Sequence, residues 1–533
     1  MTTVLSCCLF MGLVAWISYR RTRGQTGTRE GYFLAGRGLT GTFIAGSLLL
    51  TNLSAEQLIG LNGSAYAFNL SSMAWEVTAA VAIIIMAVVL LPRYLVGGFT
   101  TLPEFLETRF DARVRRTTAG LFLLGYSFVT IPSVLYSGSL AVLQLFDVTT
   151  LLGVPRNEAL TITIWVIGLI GAAYAIFGGL KAVAVSDTLN GIGLLIVGVT
   201  VPLLGLMKLG HGSVLEGLTI LTSEHTEKLN AIGSASDPTP FGTLFTGMIL
   251  ANLFYWGTNQ YVIQRTLGAR NLAEGQKGVL ITGFFKIAVP FFMMIPGIIA
   301  FHLYGPGLES MDDAYPRLVK DVLPTYLSGF FLAVLLGAVF SSFNSLLNSA
   351  STLVAIDVYQ PLRPGSSDSD LIRVARIAGI AIALFSFLIA PLLQYAPEGL
   401  WQLIRKFTGF YNIPIIALVV MAVATQHSGR RVPAVGALLA IAFHLTAYTF
   451  VTFIWDTGIH FIHLYALLFA AEIGIMFAYM SIYPVFTAQP TPPSASESEL
   501  DMTPWRYTRA TSIGLLSAVV LLYIAFSPLG MAS

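Results

Sequence analysis

The chain has 533 residues, 55% of them hydrophobic and 11% charged, with a mean hydropathy of +0.76 and a formal net charge of +2. So little charge excludes a dispersed soluble protein of this size, and the near-neutral balance excludes the basic field of a nucleic-acid binder. The two cysteines, Cys7 and Cys8, are adjacent in an apolar stretch, an arrangement that suits neither a disulfide nor a metal site.

Apolar segments fall at 1–19, 44–66, 73–96, 116–145, 160–178, 183–208, 241–266, 276–303, 326–354, 372–393, 399–426, 431–454, 460–486 and 510–530. A bilayer crossing takes about 20 such residues, so the pattern predicts an all-α membrane protein with about fourteen transmembrane helices. Segment 1–19 is expected to be a first transmembrane helix with its N-terminus outside and not a signal peptide, since Arg20, Arg21 and Arg23 follow the apolar run instead of preceding it. One set of connecting loops holds Arg20, Arg37, Arg93, Arg109, Arg113, Arg115, Lys181, Arg265, Arg270, Arg363, Arg373, Arg430 and Arg506; the opposite set holds little beyond Lys208, Lys228, Arg317 and Lys320. The excess of basic residues sets the first group in the cytoplasm. An even number of crossings of the inner (cytoplasmic) membrane then puts both termini outside. The hydrophilic stretches 209–240 and 304–325 fall outside as well. The stretch 488–503, Pro/Ser-rich and acidic, reads as a cytoplasmic linker.

Polar groups at membrane depth are costly and usually face a cavity or a partner. Segment 44–66 holds Thr51, Asn52, Ser54, Glu56, Gln57, Asn62 and Ser64 with Gly60 and Gly63. Either it is a broken helix whose freed backbone groups face a cavity or an ion, or it is a buried helix that packs through small polar residues. Segment 241–266 has the same character at Asn252, Tyr255, Trp256, Gly257, Thr258, Asn259 and Gln260. It opens a second block of five helices, 241–426, as 44–66 opens the first, 44–208. An odd number of helices per block inverts the second block relative to the first, which points to an inverted-repeat transporter with its site near the midplane. Segments 1–19 and 431–530 are then extra helices at the two ends, and the chain is one integral membrane domain.

Three ionisable residues stand inside spans: Glu76, Asp187 and Lys286. Glu76 and Lys286, opposite in sign, suit a polar cavity between helices; a structural ion pair is the other reading. Asp187, nearer a helix end, is read either as functional or as an ion-pair partner. Ser341, Ser342 and Ser345 share a helical segment and offer hydroxyl oxygens to a hard cation or to helix packing. Phosphate-binding loops, metal motifs and nucleophile–base groupings are not seen in the sequence, so ATP coupling and enzymatic chemistry have no support.

The residues also carry a resemblance. YFLAGRGL (32–39), SLLLTNLSAEQLIGLNGSAY (47–66), TLPEFLETRF (101–110), SVLYSGSLA (133–141), FGGLKAVAVSD (177–187), ANLFYWGTNQYVIQRTL (251–267) and SSFNSLLNSAS (341–351) resemble the sodium/solute symporters, in particular the bacterial sodium/galactose type and its animal sodium/glucose relatives. The likeness runs through nearly the whole chain. It implies a LeuT-like inverted five-helix repeat and a symporter that imports a sugar or sugar derivative, with Na+ as coupling ion. It implies a sodium site made by the carbonyls of Leu50, Leu53 and Ala338 and the hydroxyls of Ser341 and Ser342. Asp187 aligns with an acidic residue linked to sodium, and a second sodium site in some relatives falls on Asn344 and Ser345. The sugar pocket falls on Asn52, Gln57, Glu76, Asn252 and Lys286. Tyr255 aligns with an inner gate, and Leu61, Trp75 and Trp401 with an outer one.

Two positions depart from the pattern: Ala79 stands where the galactose type has a pocket serine, and Arg405 where it has a glutamine. If Arg405 faces the pocket, the solute is anionic (a sugar acid, sialic acid or another carboxylate), since a guanidinium pairs bidentately with a carboxylate; if it faces the outer surface, a neutral sugar is expected. Another class, a membrane sensor, would add a soluble signalling domain, which the sequence does not show.

Overall fold

The computed structural model of the chain describes residues 2–22, 27–146, 148–395, 400–426, 428, 430–455, 457–486 and 500–532. The 488–503 linker expected from the sequence lies almost wholly outside the described residues.

The helices, in chain order, are α1 (Thr2–Thr22), α2 (Gly41–Asn52) and α3 (Ala55–Ala67), then α4 (Leu70–Val96) and α5 (Ala112–Leu143). Helix α6 (Arg156–Leu209) follows, then the short α7 (Gly247–Gly257) and α8 (Gln260–Leu267). The chain continues through α9 (Leu272–Tyr304), α10 (Thr325–Leu362) and α11 (Asp368–Tyr395). It ends with α12 (Leu400–Ala424), α13 (Ala434–Ile454), α14 (Phe461–Ile482) and α15 (Thr508–Ala525). Among the described residues, 10 helices are long and apolar enough to cross a membrane, or 11 counting the bent pair α2–α3. Not in that count are α1, the pair α7–α8 and the part of α6 before Leu180, all helical; α7 and α8 have 11 and 8 residues.

Helical geometry is assigned over Arg156–Leu209, but α6 is not one straight rod. A Cβ at Gly171 would lie 3.2 Å from Phe340, and one at Gly337 would lie 2.7 Å from Asn190, so Gly171 and Asn190 meet α10 within one turn of each other. A straight helix would part them by about 28 Å. The expected spans 160–178 and 183–208 therefore remain two separate crossings.

Helix α2 is wedged between α6 and α9. Small residues allow the approach: a Cβ at Gly46 would lie 2.7 Å from the Thr188 hydroxyl, and one at Gly278 would lie 2.6 Å from Ile44. Close contact through glycines replaces the hydrophobic drive that lipid does not supply. The N-terminus of α2 is capped by the Glu274 carboxylate of α9, which accepts from Gly41 N at 2.5 Å and complements the helix dipole. Helices α1 and α6 both pack on α10, whose residues 331–353 are almost entirely buried.

A separate apolar cluster joins Trp75, Met248, Ala251 and Ile413 to Tyr448, Ile462, Tyr465 and Leu468 of α13 and α14. The extra C-terminal helices thus share a core with α4, α7 and α12.

Candidate functional site

The chain between α2 and α3 bends by 56°. Leu53 (φ −78°, ψ 77°) and Ser54 (φ −93°, ψ 167°) leave the helical region there. The amide of Ser54 turns back to Asn52 O at 2.9 Å, so the carbonyl of Leu50 loses its i+4 donor. Leu53 precedes the N-cap of α3, and its carbonyl is outside both helical ladders. Facing this break is the polar face of α10. Ser342 Oγ donates to Thr51 O at 3.3 Å, Ser345 Oγ lies 3.2 Å from Thr51 Oγ1, and the buried Ser341 hydroxyl faces the Asp187 carboxylate. Freed carbonyls and serine hydroxyls in a buried setting are the kind of oxygen ligands a hard cation takes.

The second interruption, Thr258 and Asn259 between α7 and α8, is closed by side chains. Tyr94 donates to Gly257 O at 3.0 Å, and Tyr126 donates to Asn259 Oδ1 at 2.5 Å. Between the two interruptions lies a cavity of about 90 Å³. Its wall includes Asn52, Gln57, Tyr255, Ser342 and Arg405, with Tyr411 and Asn412 beside them.

Two charge pairs flank the cavity. Lys286 pairs with Glu76, each 1% exposed, and also donates to Asn52 Oδ1. Gln57 Nε2 donates to the other Glu76 oxygen at 2.5 Å. One buried carboxylate thus receives an ammonium and an amide, as burial of a charge demands. The second pair is Asp187 with Arg265, 3.9 Å apart and both fully buried. Ser47 bridges them, donating to Asp187 at 2.6 Å and accepting from Arg265 Nε at 2.9 Å. Arg265 also donates to Ser345.

Of the expected residues, Asn52, Gln57, Tyr255, Ser342 and Arg405 line the cavity, and Glu76 and Lys286 stand one layer behind, tied to Asn52 and Gln57. Asn252 is set apart, donating to Thr78 Oγ1 at 3.0 Å. Ala79 is fully buried, and the hydroxyl nearby comes from Thr78, one residue earlier. Leu61 and Trp75 are buried in different apolar clusters. The side chain of Trp401 lies outside the described residues.

Arg405 lines the cavity, its guanidinium 4.1 Å from the Trp75 ring centroid.

The position of Arg265 is a correction. The charge pattern put it in a cytoplasmic loop, whereas it sits in α8 with no exposure, against the aligned position for a second ion, Ser345. The only sequence signal was the acid Asp187 at membrane depth, which required a cation from somewhere. Ser47 also escaped sequence reasoning as a site residue, because a single polar residue in an apolar helix looks like any packing contact; Asn259 was noted at the second interruption but given no site role.

The sodium:solute symporter family model matches residues 32–443. Among curated proteins, an uncharacterized symporter of Escherichia coli (strain K12), YidK, is 42% identical over 98% of this chain and 90% of its own length. The sodium/glucose cotransporter of Vibrio parahaemolyticus is 31% identical over 84% of each chain. The sodium/myo-inositol cotransporter 2 of Mus musculus is 29% identical over 81% of this chain and 67% of its own length. The solved structure of a Na+-coupled sialic acid symporter in a substrate-bound outward-open state superposes with a TM-score of 0.79, at 20% identity, over 92% of this chain and 99% of its own. That likeness establishes the LeuT-like, all-helical fold.

Proposed function

The chain belongs to the sodium:solute symporter family, and from that premise we propose that it imports a sugar derivative bearing a carboxylate. Na+ is the coupling ion of this multi-pass membrane transporter, and it is not an enzyme. One observation carries the choice of solute. Among the described side chains lining the cavity, Arg405 is the only charged one, because Glu76 behind it is neutralised by Lys286. A polyhydroxyl body suits the amides of Asn52 and Gln57, and a carboxylate suits the guanidinium. Relatives named for glucose and myo-inositol agree with the polyhydroxyl body; the carboxylate rests on Arg405 alone.

In this reading sodium binds from outside between the α2–α3 break and α10. Its ligands are the carbonyls of Leu50, Leu53 and Ala338 and the hydroxyls of Ser341 and Ser342. By holding the two elements together it orders Asn52 and Gln57 for the solute. The outer gate of Leu61, Trp75 and Trp401 closes, the repeats 44–208 and 241–426 rock against each other, and both cargoes leave past Tyr255. One sodium crosses per solute: the guanidinium of Arg265 already engages Ser345 and Asp187, so a second cation there meets a fixed positive charge. One charge moving through the membrane potential supplies ~2.3 kcal/mol per 100 mV. At about 1.4 kcal/mol per tenfold, that alone concentrates an uncharged complex partner roughly fifty-fold; for a carboxylate solute carried with one sodium the net charge is zero, and the sodium concentration gradient is the driver. The basic-loop asymmetry supports an orientation with both termini outside, and the inner membrane is part of the same proposal.

Uptake into proteoliposomes from a panel of labelled neutral sugars and sugar acids, with and without an inward sodium gradient, tests the reading. Sodium-driven uptake of a sugar acid, insensitive to membrane potential, is expected. Uptake confined to neutral sugars, accelerated by a negative interior, would refute the carboxylate.

A further inference from the structure

Helix α12, which carries Arg405, is gripped from the side away from the cavity. Three side chains of α13 and α14 reach backbone oxygens within one turn and a half. Tyr465 OH donates to Arg405 O at 2.9 Å, Tyr448 OH donates to Lys406 O at 2.8 Å, and His444 Nε2 donates to Gly409 O at 3.0 Å. Behind the imidazole, Glu472 Oε1 lies 2.5 Å from His444 Nδ1, and both residues are fully buried. A carbonyl oxygen only accepts, so Nε2 carries a proton. A second proton lies between Nδ1 and the carboxyl, whichever of the two holds it. The carboxyl group thereby fixes the ring so that Nε2 always donates to Gly409 O.

The gripped turn is a weak point of α12. Pro414 lies inside the helix and gives no amide to the carbonyl of Phe410. Gly409 leaves room for Tyr448: a Cβ there would sit 2.2 Å from the phenolic oxygen. The Tyr448 ring stacks on His444 at 5.4 Å and meets Phe410 edge-on at 5.1 Å. Tyr448 and Tyr465 belong to the same apolar cluster as Trp75, the ring beneath the Arg405 guanidinium.

We infer that Tyr448, Tyr465 and His444, the last held by Glu472, are positioning residues that set the turn 405–409 and hence the place of Arg405 at the cavity and over Trp75. The two helices beyond the second repeat are then working parts of the outer gate. The consequence for solute binding rests on the proposed role of Arg405, but the latch itself does not.

The test reads the position of the turn without any solute. In the full chain with Cys7 and Cys8 replaced by Ser, Thr408→Cys places a thiol on the cavity wall, and Glu309→Cys places a control in the 304–325 stretch. The rate of reaction with a maleimide is measured for each reporter in sodium. Tyr448→Phe with Tyr465→Phe removes two hydroxyls and keeps both rings. It is expected to change the Thr408→Cys rate about tenfold, the size of one or two lost hydrogen bonds, with the Glu309→Cys rate unchanged. Glu472→Ala shifts the Thr408→Cys rate in the same direction, and Glu472→Gln, which still orients the ring, restores most of it. Equal rates at Thr408→Cys in parent and double variant would overturn the latch. So would a parallel rise at both reporters, which marks general loosening. Retained latch behaviour in a protein that takes up only neutral sugars would refute the carboxylate reading and leave this one standing.

Discussion

Replacing Lys286 by Met is the sharpest perturbation of the pocket, because it separates an ion pair's structural role from its transport role. Lys286 and Glu76 are each 1% exposed and bonded to one another, and among the described residues Glu76 has Gln57 as its one further hydrogen-bond partner. Removing the ammonium leaves a buried carboxylate with a single amide donor, a change that costs about 3–5 kcal/mol at comparable buried pairs. Glu76→Gln instead strands the ammonium with Asn52. The double variant Glu76→Gln/Lys286→Met removes both charges and leaves two amides that can pair, so most of the loss returns, a coupling of at least ~2 kcal/mol. Thermal unfolding of the four purified proteins, followed by size exclusion, gives the stability cycle, and sodium-driven uptake gives the functional one. The expected result is recovery of stability in the double variant without recovery of uptake. If the single variants are as stable as the parent, or if the double variant is no better than either, the buried pair described above does not exist in the membrane.

Ser342→Ala removes one of the hydroxyls facing the α2–α3 break and should raise the sodium concentration for half-maximal uptake roughly tenfold, the effect of about one lost ligand at ~1–1.5 kcal/mol; an unchanged sodium dependence counts against the site. Arg405→Gln should shift preference from acidic to neutral sugars in a competition assay, and an unaltered preference would remove the guanidinium from solute recognition. Ser345→Ala should leave the ratio of sodium to solute, measured by dual-label flux, at one, because Arg265 already occupies that side of α10; a fall from two to one would show that a second ion had been seated there.

The interruptions were readable because each concentrates amides, hydroxyls and glycine in the middle of an apolar span, a pattern lipid does not tolerate in a smooth helix. The opposite signs of Glu76 and Lys286 at membrane depth drew attention to both, but the sequence favoured them as cavity lining, whereas they form the buried ion pair that was its other reading. Arg265 was not readable as its partner, because an arginine at the end of an apolar segment looks the same whether it reaches water or folds back onto an acid. Its partner Asp187 belongs to another part of the sequence, and only the packing of α8 against α2 and α10 brings the two together. The grip of Tyr448, Tyr465 and His444 on α12 had no sequence signal, since its acceptors are backbone oxygens that every residue possesses.

Binding of radioactive sodium to the purified protein, without any solute, reaches the central claim with fewest assumptions. The account predicts saturable binding of one ion per chain that is lost when Ser341 and Ser342 are both replaced by alanine and retained in the Arg405→Gln protein. Saturable binding that survives the double serine replacement would mean that sodium is held elsewhere, and that the parted helix facing α10 is not its seat.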